Sequence, residues 1–274
     1  MDHRRADDLA ILRRHAADAT LMAGGAAAIL LQLADPRVAA GVAGHSRFRE
    51  RPLDRLVATH GYLTAVTFGD ERTIRGVVRA VDGRHASVRG GRGPAYDARD
   101  PDAQRWVAAT LLAVSLRLEE RLQGAPLDDR TADALVRSYG AFAARLQGEP
   151  AGWPETRAEF DGWWADRLSA TSVGEDARAV AHDLLAGTGL PPVLVPLMAP
   201  VRLVTAALLP AALREAYGLH WTPRAQRTAA GWFTALRVLR RLVPARVRAI
   251  PTRRTLRRLE RPSRYAVTDP RGRG

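Results

Sequence analysis

The sequence predicts an all-α protein folded as a single helical domain, and three observations carry that expectation. Ala, Leu and Arg, all strong helix formers, dominate its 274 residues. Strand signals are scarce, with few isoleucines and aromatics and no clean alternating runs. Helix starts recur along the chain as capping side chains ahead of a proline or an apolar stripe.

In chain order, helices are expected over 6–18, 20–33, 36–43, 52–68, 71–89, 101–123, 129–147, 154–170, 174–187, 197–208, 210–217, 223–242 and 251–260. Gly69 can close one helix and Asp70 can cap the next. Asp100-Pro101 and Thr222-Pro223 set a capping oxygen before a proline, whose missing N–H is harmless at the first helical position. Asp128 can cap the segment that runs through Leu135 to Leu146. The main irregular stretch is Gly90-Gly91-Arg92-Gly93-Pro94, which neither follows a strand nor opens a helix as a phosphate cradle requires. No repeat or low-complexity linker interrupts 20–240, so one domain is expected over 1–245 with a basic extension over 246–274.

Two apolar stretches invite comparison with membrane spans. Leu21 to Leu31 is shorter than the roughly 20 residues a bilayer requires. Residues 190–213 are long enough but hold Pro191, Pro192, Pro196, Pro200, Pro210 and Arg202, which predicts a buried, broken core segment instead. The start, Met1-Asp2-His3-Arg4-Arg5, has no apolar signal core, and the chain has no cysteine; a cytoplasmic location is expected.

The absence of cysteine also excludes thiolate metal sites, iron–sulfur clusters and a thiolate haem ligand. The formal net charge is +13, and all 42 basic residues are Arg. Residues 236–264 hold eleven of them against one acid, Glu260, and so carry +10 of that charge. Such a segment can touch anionic lipid or nucleic acid; a solvated terminal helix and tail is the simpler reading. There is no His-Glu-x-x-His pattern, P-loop, nucleophile elbow or dinucleotide fingerprint.

His85 stands out among the seven histidines. Ile74, Val77, Val78, Val81, His85 and Val88 fall on one helical face, which puts an imidazole on an apolar stripe. Such a ring can ligate haem iron through one nitrogen and donate through the other; equally, it can be a core histidine paired with a backbone carbonyl. On the preceding helix Arg55, Thr59 and Val66 share a face beside Leu56 and Leu63. This Arg–Thr pair suits a haem propionate, an oxygen ligand or a buried acid, or else an Arg whose head reaches solvent. A third cluster, Tyr96-Asp97-Ala98-Arg99-Asp100-Pro101 followed by Trp106-Val107, reads as a loop, a capped helix start and a packed indole.

These clusters, in this order, resemble the MpaB-like oxygenase family, which includes the latex-clearing rubber oxygenases. The stretch from Leu30 through Asp35-Pro36-Arg37 and Gly44-His45-Ser46 to Phe48 is similar to the family's opening motif. Arg55 to Thr59, Thr67-Phe68-Gly69, His85 to Gly90, Tyr96-x-Ala98-x-Asp100-Pro101 and Trp106 to Thr110 follow. Arg202 to Pro210, running on into Leu213 to Leu219, completes a resemblance that covers residues 22–245. It implies a globin-like helical core around haem b, with His85 as the iron ligand and Arg55 and Thr59 as the polar pair on the distal side. It also implies an oxygenase acting on a small hydrophobic, alkene-containing substrate with dioxygen or peroxide. Three positions depart from the family pattern. Ala58 stands where rubber oxygenases carry a lysine, and Asp35 and Ala108 stand where histidines are common. Those departures motivate a non-catalytic haem carrier or sensor as the alternative. No specific nucleic acid is expected as a partner, whereas the basic segment allows peripheral membrane contact.

Overall fold

The helix Pro101–Gln123 runs through the middle of the molecule, and the rest of the chain packs on its two sides. In this computed structural model the described residues are 3–43, 52–86, 88, 96–147 and 152–261, without the side chains of 52–55 and 147. The Gly90 to Pro94 loop, His45 and the last residues of the tail lie outside them. Fourteen α-helices and no strand occur among the described residues, so the fold is all-α.

In chain order the first seven helices are α1 (His3–Ala16), α2 (Gly25–Leu33), α3 (Pro36–Ala43), α4 (Pro52–Phe68), α5 (Glu71–His85), α6 (Pro101–Gln123) and α7 (Asp129–Gln147). The rest are α8 (Arg157–Ser169), α9 (Glu175–Ala186), α10 (Met198–Leu208), α11 (Ala211–Ala216), α12 (Pro223–Leu242), α13 (Ala245–Arg248) and α14 (Ile250–Glu260). Helix α6 begins where Asp100 accepts from the Asp102 N–H ahead of Pro101, and it ends at Gly124, whose φ of 81° suits glycine. Its apolar residues stand on two faces, as a buried helix requires. Trp106, Val114, Leu118 and Leu122 join α2, α3, α9, α10 and α12 in one core. Ala109, Leu112 and Leu116 join α1, α4, α5, α7 and Phe160 of α8 in the other. The Trp106 indole is 1% exposed, stacks on Trp164 at 5.2 Å and donates to the Gln32 carbonyl.

The expected caps form: Asp70 accepts from the Thr73 N–H, Asp128 from that of Thr131 and Thr222 from that of Ala225. Of three differences, two have tertiary causes and the third is set by local proline geometry. The expected helix over 20–33 divides into a 3-10 turn, Ala19–Gly24, and α2. Gly24 and Gly25 mark the division, because a Cβ there would fall 2.5 Å from Val114 and 2.3 Å from Leu56. Helix α5 ends at His85 rather than 89, because the chain turns back and the Val88 carbonyl accepts from the Ala98 N–H. In 190–213, prolines 191, 192 and 196 hold Pro192–Leu197 as a 3-10 segment whose residues are exposed, and burial resumes only within α10. Among the described residues no single helix is long and apolar enough to cross a membrane.

The basic segment closes the fold back on its start. Helix α14 packs on α4 and α5, and Thr252 donates to the Ala17 carbonyl. Arg240 and Arg248 enter the interior, while Arg253, Arg254, Arg257 and Arg258 stay solvated.

Candidate functional site

Helices α4 and α5 form an antiparallel hairpin across Gly69-Asp70, and it carries the candidate residues on both arms. On α4, Leu56, Thr59, His60, Leu63 and Thr64 lie at offsets 0, 3, 4, 7 and 8, a single helical stripe. That stripe walls a cavity of about 110 Å³ completed by Leu21, Met22 and Ala28, by Leu111, Val114 and Ser115 of α6, and by Tyr139 and Phe142 of α7. Thr59 therefore opens onto an apolar chamber. Arg55 lies one turn earlier on α4, and its side chain is outside the described residues.

His85 is the last residue of the other arm. It is half-buried with a buried Nδ1, beside Asp82, whose carboxylate pairs with Arg99 at 3.0 Å. Its stripe is real, since Ile74 and Val77 are buried and Val78 and Val81 pack on the second core. His85 does not line the chamber that Thr59 lines, so the two are not brought together in one described cavity.

Sequence reasoning missed two imidazoles. His60 Nε2 is buried on the chamber wall with no hydrogen-bond partner among the described residues. Burial holds its pKa below the ordinary 6.5, so the ring is neutral at physiological pH. Its adjacency to Thr59 on the stripe was the available signal. His15, on α1, is 8% exposed and belongs to a chain of polar groups. Tyr139 donates to Ser115 Oγ at 3.0 Å, and Ser115 Oγ lies 2.5 Å from His15 Nε2. His15 Nδ1 faces Glu119 Oε2 at 3.4 Å, an ion-pair distance rather than a tight hydrogen bond. Arg240 then donates to Glu119 at 2.7 Å and to Asp18 at 2.9 Å, and Arg248 also donates to Asp18. Burial alone would raise the Glu119 carboxyl, but His15 and Arg240 outweigh it and hold the pKa at about 2. Because Ser115 accepts from Tyr139, its own proton is available to the His15 ring.

The positions that depart from the family pattern are built into the structure. Asp35 accepts from the Arg37 N–H and pairs with its guanidinium at 2.8 Å, and Arg37 reaches Asp102, which also binds Arg167. Ala108 is 3% exposed, buried within α6.

A haem iron needs one strong axial donor and an apolar surround rather than a multi-residue cage. No group of three His, Asp or Glu side chains capable of holding a metal ion occurs among the described residues. The donor chemistry suits haem instead: without cysteine no thiolate is available, and both arms of the hairpin carry an imidazole, a common haem ligand, with a buried ring nitrogen. The cavity itself, at about 110 Å³, lies below the roughly 300–1,000 Å³ of cofactor-sized sites and does not by itself hold a macrocycle.

Comparison with known proteins places these features. The sequence profile of a family described as ER-bound oxygenase mpaB/B'/rubber oxygenase, catalytic domain, matches residues 12–245. Uncharacterized proteins of Mycobacterium tuberculosis (strain H37Rv) and Mycobacterium bovis are each 32% identical over 229 residues, which is 81% of this chain and 89% of theirs. No solved structure matches the chain.

Proposed function

Because the chain belongs to the mpaB and rubber oxygenase family, and is thus an oxygenase domain and an oxidoreductase, we propose that it uses haem b to oxidise a hydrophobic, unsaturated small molecule with dioxygen or peroxide. One observation carries the finer reading: an α4–α5 hairpin with Thr59 on an apolar chamber and a buried-nitrogen imidazole, His85, at the end of its other arm.

His85 would hold the iron through one ring nitrogen, while a partner on the other fixes the ring's tautomer and orientation. The haem, when bound, supplies the redox chemistry that activates the oxidant. The chain's own contribution is placement and electrostatics. Arg55 and the Thr59 hydroxyl are donors that orient an anionic or oxygen-bearing group, and donors fixed in a water-poor site act more strongly than in solution. Leu56, Leu63, Val114 and Phe142 exclude water and admit an apolar chain. We further propose a cytoplasmic location with peripheral membrane contact, in which exposed Arg253, Arg254, Arg257 and Arg258 meet anionic lipid.

Absorption spectroscopy of the full chain reconstituted with haem tests the cofactor. Wild type should give a Soret band, and His85→Ala should lose most of it; wild type without such a band would end the haem reading. The alternative, a haem carrier or sensor, is favoured by Ala58, Asp35 and Ala108, where the family carries lysine and histidines. Turnover of unsaturated substrates under oxygen separates the two: a band without turnover is a carrier's result.

A further inference from the structure

The chamber between α4, α6 and α7 has an imidazole nitrogen buried on its wall. His60 Nε2 is buried and has no hydrogen-bond partner among the described residues. Native proteins seldom leave a buried nitrogen so, and where they do a ligand or a water usually accounts for it. Ser115 and Tyr139 already bond each other, and Ser115 is also engaged by His15. Asp18 is taken by Arg240 and Arg248. Thr59 and Thr64 bring hydroxyls to the His60 side of the wall, and the remainder is mostly aliphatic or aromatic, so most of the chamber suits carbon rather than water.

We propose that this chamber is a binding site for a small apolar molecule bearing a hydroxyl, with the hydroxyl hydrogen-bonded to His60 Nε2 and the carbon body against Leu63, Val114 and Phe142. A neutral imidazole nitrogen is a donor in one tautomer and an acceptor in the other, and a hydroxyl complements either. An ammonium group would be buried without a free counter-charge, since Asp18, the acid on the described wall, is already paired. At about 110 Å³ the chamber is smaller than an apolar cavity of about 150 Å³ that accommodates benzene, but it is partly open, so a short chain fits within it and a single ring fits with its far edge at the mouth. It reaches the surface beside Met22, which is 38% exposed. The inference deepens the oxygenase reading by naming a class of guest. It rests on that reading only for the consequence that the guest is the substrate.

The test uses the full chain without haem, and phenol and toluene as probes of matched shape. Titration calorimetry should show phenol binding roughly 3- to 10-fold tighter than toluene, the span of one net hydrogen bond. The 15N resonance of His60 Nε2 should move on adding phenol and stay in place with toluene. In His60→Leu, checked for helicity by circular dichroism, toluene should still bind and the preference for phenol should vanish. His60→Gln, which keeps a polar group on the wall, should retain part of it. Equal affinities in the wild type, no binding of either probe, or a phenol preference that survives His60→Leu would each overturn the proposal. Since the assay holds no haem, a failed Soret experiment leaves its outcome intact, and its failure says nothing against haem.

Discussion

His15 and His60 meet the same chamber from opposite walls, one through Ser115 and the other directly, and their surroundings differ in kind. On the α1–α6–α7 side, Tyr139, Ser115, His15, Glu119 and Arg240 follow one another through hydrogen bonds and one ion-pair contact, from His15 to Glu119, to the arginines of the C-terminal helices. On the α4 side, His60 Nε2 meets no hydrogen-bond partner among the described residues. A buried group tied into its neighbours fixes how elements sit against one another, whereas one facing a cavity with no partner is a place where something else can bind. The first wall is therefore architecture, tying α12 and α13 to α6 and to the end of α1. The second is the face that awaits a guest.

The largest effect that sharpens this contrast should come from Glu119→Ala. It removes the acid between His15 and Arg240 and leaves Arg240 with Asp18, which it shares with Arg248, at a cost of about 3 kcal/mol in urea unfolding, the lower end for a broken buried pair. The sign of the pH dependence follows from the low pKa of Glu119. Its folded value of about 2 lies below the ordinary 4.5, so its contribution is complete above pH 4.5 and is lost as the pH falls toward 2. Glu119→Gln should lack that part of the acid slope. If Glu119→Ala is nearly neutral, the chain does not brace the fold and the contrast fails.

Ser115→Ala should have a smaller effect, about 1–3 kcal/mol, because it strands the Tyr139 hydroxyl and one nitrogen of His15 without removing a charge. Its discriminating readout lies on the opposite wall. The phenol preference assigned to His60 should survive Ser115→Ala, since Ser115 belongs to the architectural side. A variant that loses stability and the preference together would merge the two walls into one site.

How much of this was legible beforehand depends on the range of the interaction. Asp70, Asp128, Asp100-Pro101 and Thr222-Pro223 act within one helical turn, and each caps where the sequence placed it. The Ala19–Gly24 turn was invisible because its cause is close packing of Gly24 and Gly25 against Val114 and Leu56, far along the chain. The early end of α5 was hidden for the same reason, since it depends on pairing with Ala98. Ser115 and Glu119 stand one turn apart in the sequence, but nothing local announced His15, 100 positions from Ser115. His60 was legible in the stripe Leu56, Thr59, His60, Leu63, Thr64. It stands one residue past Thr59, the family's motif position on that face.

The smallest effect, and the one of opposite sign, belongs to His60→Leu. Replacing an unsatisfied buried nitrogen by a hydrocarbon of similar size removes a desolvation cost and breaks no hydrogen bond. The variant should therefore match the wild type or exceed it by up to about 1 kcal/mol in the absence of ligand. The pH dependence checks the cause. Burial lowers the His60 pKa below 6.5, so as the pH drops past 6.5 the unfolded chain takes up a proton that the folded chain refuses, and wild-type stability falls. That slope should shrink in His60→Leu, so its advantage should widen between pH 7 and pH 5. A loss of 2 kcal/mol or more instead would mean that the imidazole already has a partner within the fold. His60 would then be architecture like His15, and the two walls would be alike.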